Sequence, residues 1–196
     1  MAHLRPLENH EVDQELREMF ENYENTRGFC PNSVKTMARR PNISKAFGRL
    51  NQVIIYEGTV PEELKMLVAL ASSLASGCRY CQSHMANLSS IYNASDEKIA
   101  AIWGFETSEL FSDAERAAIK VGLKAGTLPN DTTKEDFDEL KKHFDEGQIV
   151  EIVATIALFG YLNRWNDTMA TQLEELPSKV AERATGEQGW DAGKHV

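Results

Sequence analysis

Cys78-Arg79-Tyr80-Cys81, followed by His84, is the group of side chains in this chain best equipped for chemistry. A cysteine acts as a nucleophile or redox centre through its thiolate, so what matters is where each sulfur sits. Gly77 stands immediately before the pair and reads as a helix terminator, since glycine enters the left-handed conformation at little cost. Cys78 then falls at or just before the first turn of the next helix, where unpaired backbone N–H groups favour a thiolate. Residues three apart on a helix have β-carbons about 5–6 Å apart, against about 3.5–4.5 Å in a disulfide. A Cys78–Cys81 bond is therefore feasible but strained, and a strained disulfide is easily reduced. His84 lies three residues beyond Cys81, on the same helix face. It is placed to take the thiol proton or to stabilise the thiolate as imidazolium. Such activation predicts a Cys81 thiol titrating below the ~8.5 of a free cysteine.

Other readings of the same residues compete with this one. A zinc site needs a fourth ligand beyond Cys78, Cys81 and His84, and no second Cys or His cluster supplies it. Attachment of c-type haem requires histidine directly after the second cysteine, where Gln82 stands. Two buried thiols that never react are the plain alternative to a redox pair. Cys30, between Phe29 and Pro31, reads as a small buried hydrophobe or as a partner in some other disulfide. His3, His10, His143 and His195 lie in polar or terminal segments and read as surface residues.

The elements that must position these groups are helical. Of 196 residues, 42% are apolar and 26% charged, which suits a folded globular chain. Thirty acids against 21 bases give a net charge of −9, which argues against a nucleic-acid surface. The longest apolar run, from Ile152 to Leu162, is far short of the ~20 residues that span a bilayer. With no signal-like start and three cysteines, the expectation is a cytoplasmic protein that binds neither membrane nor nucleic acid. Capping-box spacings occur at Thr59/Glu62, Ser112/Glu115 and Thr132/Glu135, with a looser Asp145/Gln148. Helices are expected at 11–25, 32–39, 42–57, 61–76, 79–92, 95–103, 113–126, 132–143 and 147–175. The last is apolar on most sides, as befits a bundle centre or a subunit interface. The polar stretch from Pro177 to Val196 reads as a tail that frays or docks on a neighbour. The resulting division is an arm with a first helix over 1–30, a helical domain over 31–176, and a tail over 177–196.

Glu63-Leu64-Lys65-Met66-Leu67-Val68-Ala69-Leu70, followed by Ser76-Gly77-Cys78-Arg79-Tyr80-Cys81-Gln82-Ser83-His84, resembles the core of the carboxymuconolactone decarboxylase superfamily. More narrowly, it is similar to the alkylhydroperoxidase AhpD-like branch. The resemblance is strongest over residues 30–128 and includes Arg40-Pro41 and Phe111-Ser112-Asp113-Ala114-Glu115-Arg116. Phe159 to Thr168, with Asn163-Arg164-Trp165-Asn166-Asp167, is similar to a peroxidase-related subgroup.

The resemblance implies an all-α, AhpD-like helical bundle that assembles as a homo-oligomer, trimer or hexamer. It also implies a proton relay of a glutamate, two cysteines and a histidine, with Cys81 attacking a peroxide and Cys78 resolving the sulfenic acid. Two positions depart from the pattern. The relay glutamate is expected twelve residues before the first cysteine, where Met66 stands, and the relay histidine one residue later than His84, at Met85. Glu62 or Glu63 is the available substitute, one turn from Met66.

The expectation is a thiol-dependent hydroperoxidase or thiol–disulfide oxidoreductase acting through Cys81, Cys78 and His84. A small hydroperoxide is its substrate, an external dithiol its reductant, and no cofactor or metal is needed. A non-catalytic redox-sensing or binding protein is the alternative. A lactone decarboxylase, with Arg79 and Arg164 holding a carboxylated substrate, comes third.

Overall fold

Ten helices carry the chain in this computed structural model, which describes residues 2–196: α1 (Gln14–Arg27), α2 (Asn32–Met37), α3 (Pro41–Tyr56), α4 (Glu62–Ser76), α5 (Arg79–Ile91), α6 (Asp96–Ala100), α7 (Asp113–Gly126), α8 (Lys134–Leu140), α9 (Glu146–Met169) and α10 (Glu175–Thr185). Short 3₁₀ turns cover Asn9–Glu11, Ala101–Gly104 and Gly193–His195, and no strand occurs among the described residues. None of these helices is long and apolar enough to cross a membrane.

Helix α4 is the axis of the bundle. Every residue from Leu64 to Ser73 is buried, because α5, α7 and α9 pack around it. Met66, Leu67, Val68 and Leu70 are at most 1% exposed, each contributing roughly 1.5–3 kcal/mol by burial. Leu70→Ala would leave a cavity costing about 2–5 kcal/mol. The α4–α7 contact depends on two glycines. A β-carbon at Gly122 would lie 2.9 Å from the Val68 carbonyl oxygen, and one at Gly126 would lie 2.6 Å from that of Ser72. Helix α9, expected at a bundle centre or a subunit interface, is not at the centre: it is covered on one side, with Val150, Val153 and Tyr161 exposed on the other.

Lys65 is the one buried lysine in α4, and its ammonium is fully used. It donates to the carbonyls of Ile54 (2.9 Å) and Glu57 (2.7 Å) and pairs with Glu151 at 3.1 Å. Glu151 also accepts the N–H groups of Thr59 and Val60. Those amides are therefore capped from α9, and α4 starts behind Pro61 without the expected Thr59/Glu62 box. A second expected box moves by one residue, to Thr133/Asp136, because α8 begins at Lys134. The boxes at Ser112/Glu115 and Asp145/Gln148 form as read.

Both ends of the chain join the bundle. Leu16, Phe20 and Tyr23 of α1 share one core cluster with Met66, Cys81 and Ala181 and Ala184 of α10. The segment after Pro177 is thus a packed helix followed by a docked turn, lying against α5 and α6 of its own chain. Its apolar side (Pro177, Val180, Ala181, Ala184) is what seats it.

Candidate active site

The site forms where α4 turns into α5. Gly77 closes α4 in the left-handed region at φ 76°, and Cys78 is the residue that caps α5. Both Cys78 and Cys81 are free thiols, 0% and 2% exposed. The Cys78 thiol is drawn below its ordinary range by the Cys81 thiol beside it. Burial opposes this, and the backbone N–H groups of Cys81 and Tyr80 add to it. Cys81 behaves oppositely. Burial pushes its thiol well up, Cys78 pushes it further, and only the Asn166 side-chain N–H, donated to its sulfur at 3.4 Å, works against them. The first proton thus leaves Cys78, whereas the sequence reading put the low pKa on Cys81. The asymmetry comes first from the contact between the two thiols, which favours the thiolate on Cys78 and opposes it on Cys81, and then from the helix-end N–H groups that reach Cys78.

His84 follows one turn after Cys81 and packs between aromatic rings, stacked on Tyr80 at 4.2 Å and edge-on to Phe29 at 5.5 Å. Its Nε2 meets Glu174 Oε2 at 2.7 Å. Glu174 Oε1 accepts the Tyr80 hydroxyl at 2.9 Å and the backbone N–H of Asn32. With its side chain 11% exposed, burial acts against the charge of Glu174. His84 and the two hydrogen-bond donors outweigh that, and its carboxyl is held below the usual range.

Glu174 is the residue that sequence reasoning missed. The helix expected over 147–175 ends at Met169, where Ala170 adopts a left-handed φ of 46° and Thr171 N–H returns to the Asn166 carbonyl. The chain then reverses, and Glu174 caps α10. The available signal was an acidic pair, Glu174-Glu175, just ahead of Pro177. That pattern marks a helix start, but apolar periodicity and the lack of a glycine stop hid it. The reversal is locked by His195, whose carbonyl accepts Leu173 N–H at 2.8 Å and whose Nδ1 meets the Thr171 carbonyl at 2.8 Å. His195, read as a surface residue, is 1% exposed.

A cavity of about 40 Å³ adjoins these groups, lined among others by Cys81, His84, Tyr80, Met66, Met85 and Asn166. Cys78 does not line it. Met66 and Met85, the positions at which the relay glutamate and histidine were expected, are 0% and 3% exposed and form apolar wall. Glu63 pairs with Lys98 at 2.7 Å, and the carboxylate that meets His84 is instead Glu174, the residue capping α10. Arg79 faces Asp191 at 4.0 Å and does not line the cavity. Cys30 is a buried thiol outside it, pushed up to about 12 by its burial.

An all-α bundle that buries a dithiol at a helix start, with a carboxylate–imidazole pair beside it, defines a class of thiol-bearing helical proteins. The sequence profile described as the carboxymuconolactone decarboxylase family matches residues 41–123. The debrominase Bmp8 has a solved structure with TM-score 0.85 and 36% identity, covering 92% of this chain and 96% of that one. The chain belongs to the carboxymuconolactone decarboxylase family. Bmp8 has also been solved as a cysteine-to-alanine variant in complex with 2,3,4-tribromopyrrole, with the same similarity to this chain. An uncharacterised peroxidase-related protein with an AhpD core from Ralstonia eutropha JMP134 shares the fold, with TM-score 0.80, 20% identity and coverage of 90% and 94%. No curated protein matches the chain.

Proposed function

We propose that this protein is a dithiol-dependent reductase. The Cys78/Cys81 pair passes from dithiol to disulfide while handing two electrons to a small electrophile in the cavity beside Cys81. One observation carries the reading: the cavity brings together a thiol, backed by a second and more acidic thiol, and an imidazole held by a buried carboxylate. Reduction of this kind needs a nucleophile that meets the substrate, a second thiol to resolve the adduct, and a proton donor for the leaving group.

With a hydroperoxide, Cys81 transfers its proton to the Cys78 thiolate and attacks the O–O bond, forming a sulfenic acid. His84, as imidazolium, protonates the departing alkoxide to an alcohol. Cys78 then displaces hydroxide from the sulfenic sulfur, and its own proton completes a water molecule. An external dithiol resets the pair by exchange. The size of the cavity, about 40 Å³, suits a molecule as small as hydrogen peroxide.

A second reading, reductive dehalogenation, is favoured by the 36% identity with the debrominase Bmp8 and by the methionine and aromatic lining. Replacing a carbon–halogen bond with carbon–hydrogen also consumes two electrons and one proton at carbon. The dithiol becomes the same disulfide and halide is released.

The test is turnover by reduced protein under excess dithiothreitol, wild type beside Cys81→Ser. Hydrogen peroxide and cumene hydroperoxide serve one arm, and a polybrominated pyrrole, followed by bromide release, the other. Turnover of either class that disappears in Cys81→Ser supports the reductase. Background rates with both classes would overturn it and return attention to a sensing or binding role.

A further inference from the structure

We infer that Arg27 is the substrate-selecting residue of this site and that the preferred electrophile is a small organic anion of the carboxylate class. The inference rests on the reductase reading but not on the choice between peroxide and halide.

Arg27 is the last residue of α1, and its guanidinium stands in the wall between two spaces. On one side is the inner cavity of Cys81 and His84, and on the other an outer cleft of about 790 Å³. Both are lined by Tyr23, Arg27, Asn51 and Leu88. The guanidinium lies 4.9 Å from the centre of the Tyr23 ring and 5.8 Å from that of Tyr56, and it donates to the Tyr56 hydroxyl. Among the described residues no carboxylate lies within ion-pair distance of it. Of the other cations of the outer cleft, Lys45 is held by Asp13 at 3.0 Å and Glu15 at 2.6 Å, and Arg49 does not reach the inner cavity, which Arg27 alone of the three lines.

Arginine uses a planar fork of five donors and binds carboxylates in two parallel hydrogen bonds. Here only the Tyr56 hydroxyl engages it, and tyrosine faces on either side add cation–π attraction without neutralising the charge. A half-buried guanidinium left in this condition, opening on both the reactive thiol and the outer cleft, is set up to receive an anion from that cleft. A flat acid group entering from the outer cleft would take over the fork from the Tyr56 hydroxyl, with its reactive end toward Cys81 and its bulk left in the cleft. The outer cleft is lined by both signs of charge, with Glu15 already paired to Lys45, so an anion finds its open partner at the arginines. Selection would therefore fall on acids.

The experiment is isothermal titration of the full-length reduced protein with benzoate and with its neutral isostere benzamide. The panel is wild type, Arg27→Gln, Arg27→Lys and Cys81→Ser. Wild type and Cys81→Ser should bind benzoate at least tenfold more tightly than benzamide, Arg27→Lys should retain part of that preference, and Arg27→Gln should lose it. Equal affinity for the two compounds in wild type, or an unchanged preference in folded Arg27→Gln, would overturn the inference. Because binding is read without turnover, an inactive protein that still prefers benzoate refutes the reductase and leaves the anion site standing. An active protein with no preference does the reverse.

Discussion

Replacing Glu174 with glutamine keeps the shape of the side chain and removes the one charge that faces His84. The three contacts of the carboxylate, to His84 Nε2, the Tyr80 hydroxyl and the Asn32 N–H, can all survive as neutral hydrogen bonds. A charge-assisted bond contributes about 1.5–3 kcal/mol and a neutral one about 0.5–1.5, so three weakened bonds lose roughly 3 kcal/mol. Burying a neutral amide costs less than burying a carboxylate, which returns part of that sum. The net destabilisation should be about 1–2 kcal/mol, seen as a fall in Tm of about 2–8 °C for a chain of this size. The effect on chemistry is more specific. At an effective dielectric near 20, unit charges about 4 Å apart attract by ~4 kcal/mol. Losing a third to two-thirds of that from a protonated His84 in the transition state lowers the rate about 10- to 100-fold. Stopped-flow oxidation of the reduced dithiol by hydrogen peroxide, followed by tryptophan fluorescence, reads the loss directly. A folded Glu174→Gln protein oxidising at the wild-type rate would refute the role given to this carboxylate.

Further predictions concern the thiols, the missing glutamate and the acid side of the stability curve. Thiolate absorbance at 240 nm should show one group titrating below a free cysteine in wild type and none in Cys78→Ser, since the depressed pKa belongs to Cys78; an early titration surviving in Cys78→Ser would contradict this. Met66→Glu should lower stability by at least ~2 kcal/mol, because a carboxyl in that fully buried position lacks partners, and should not raise peroxide turnover. A gain in turnover would mean that the relay position still matters and that Glu174 does not fill it. The carboxyl of Glu174 is harder to protonate folded than unfolded. Its stabilisation is therefore complete above the unfolded value near ~4.3 and is lost as pH falls through the lower, folded one. Denaturant titrations across that window should show a steeper acid loss in wild type than in Glu174→Gln, and parallel curves would count against it. Deleting residues 193–196 removes the His195 contacts that hold Leu173 and Thr171. The deletion should slow dithiol oxidation while leaving far-ultraviolet circular dichroism unchanged, and an unaltered rate would show that the turn does not position Glu174.

What could be read in the sequence was local. Gly77, the cysteine spacing and His84 fix the helix end, the capping position of Cys78 and the shared face of Cys81 and His84, all within a dozen residues. The carboxylate partner of His84 was not legible, because Glu174 is 90 positions from it. Nothing local marks it once a helix is read through Ala170. The same break explains His195 and the packed C-terminal segment: a polar composition conceals one apolar face on α10 and one histidine turned inward. One capping box failed for a related reason, while the Thr132 box moved by one residue for a local one, Thr132 being engaged by Asn130. At Thr59 the amides found a better acceptor in Glu151, which comes from a distant helix. The inversion of the thiol pKa values is a lesson in position. A histidine three residues away suggested activation of Cys81, but His84 turns to Glu174, burial and the neighbouring thiol push Cys81 up, and the helix end serves Cys78.

The most direct test of a cycling Cys78/Cys81 pair is a single turnover with fully reduced protein and one equivalent of hydrogen peroxide, quenched by alkylation and mapped by mass spectrometry. Of the three thiols in the chain, Cys78 and Cys81 should be lost together into one disulfide while Cys30 stays free and is alkylated. Three thiols still free at a time when wild-type turnover should be complete, or a disulfide that includes Cys30, would contradict it.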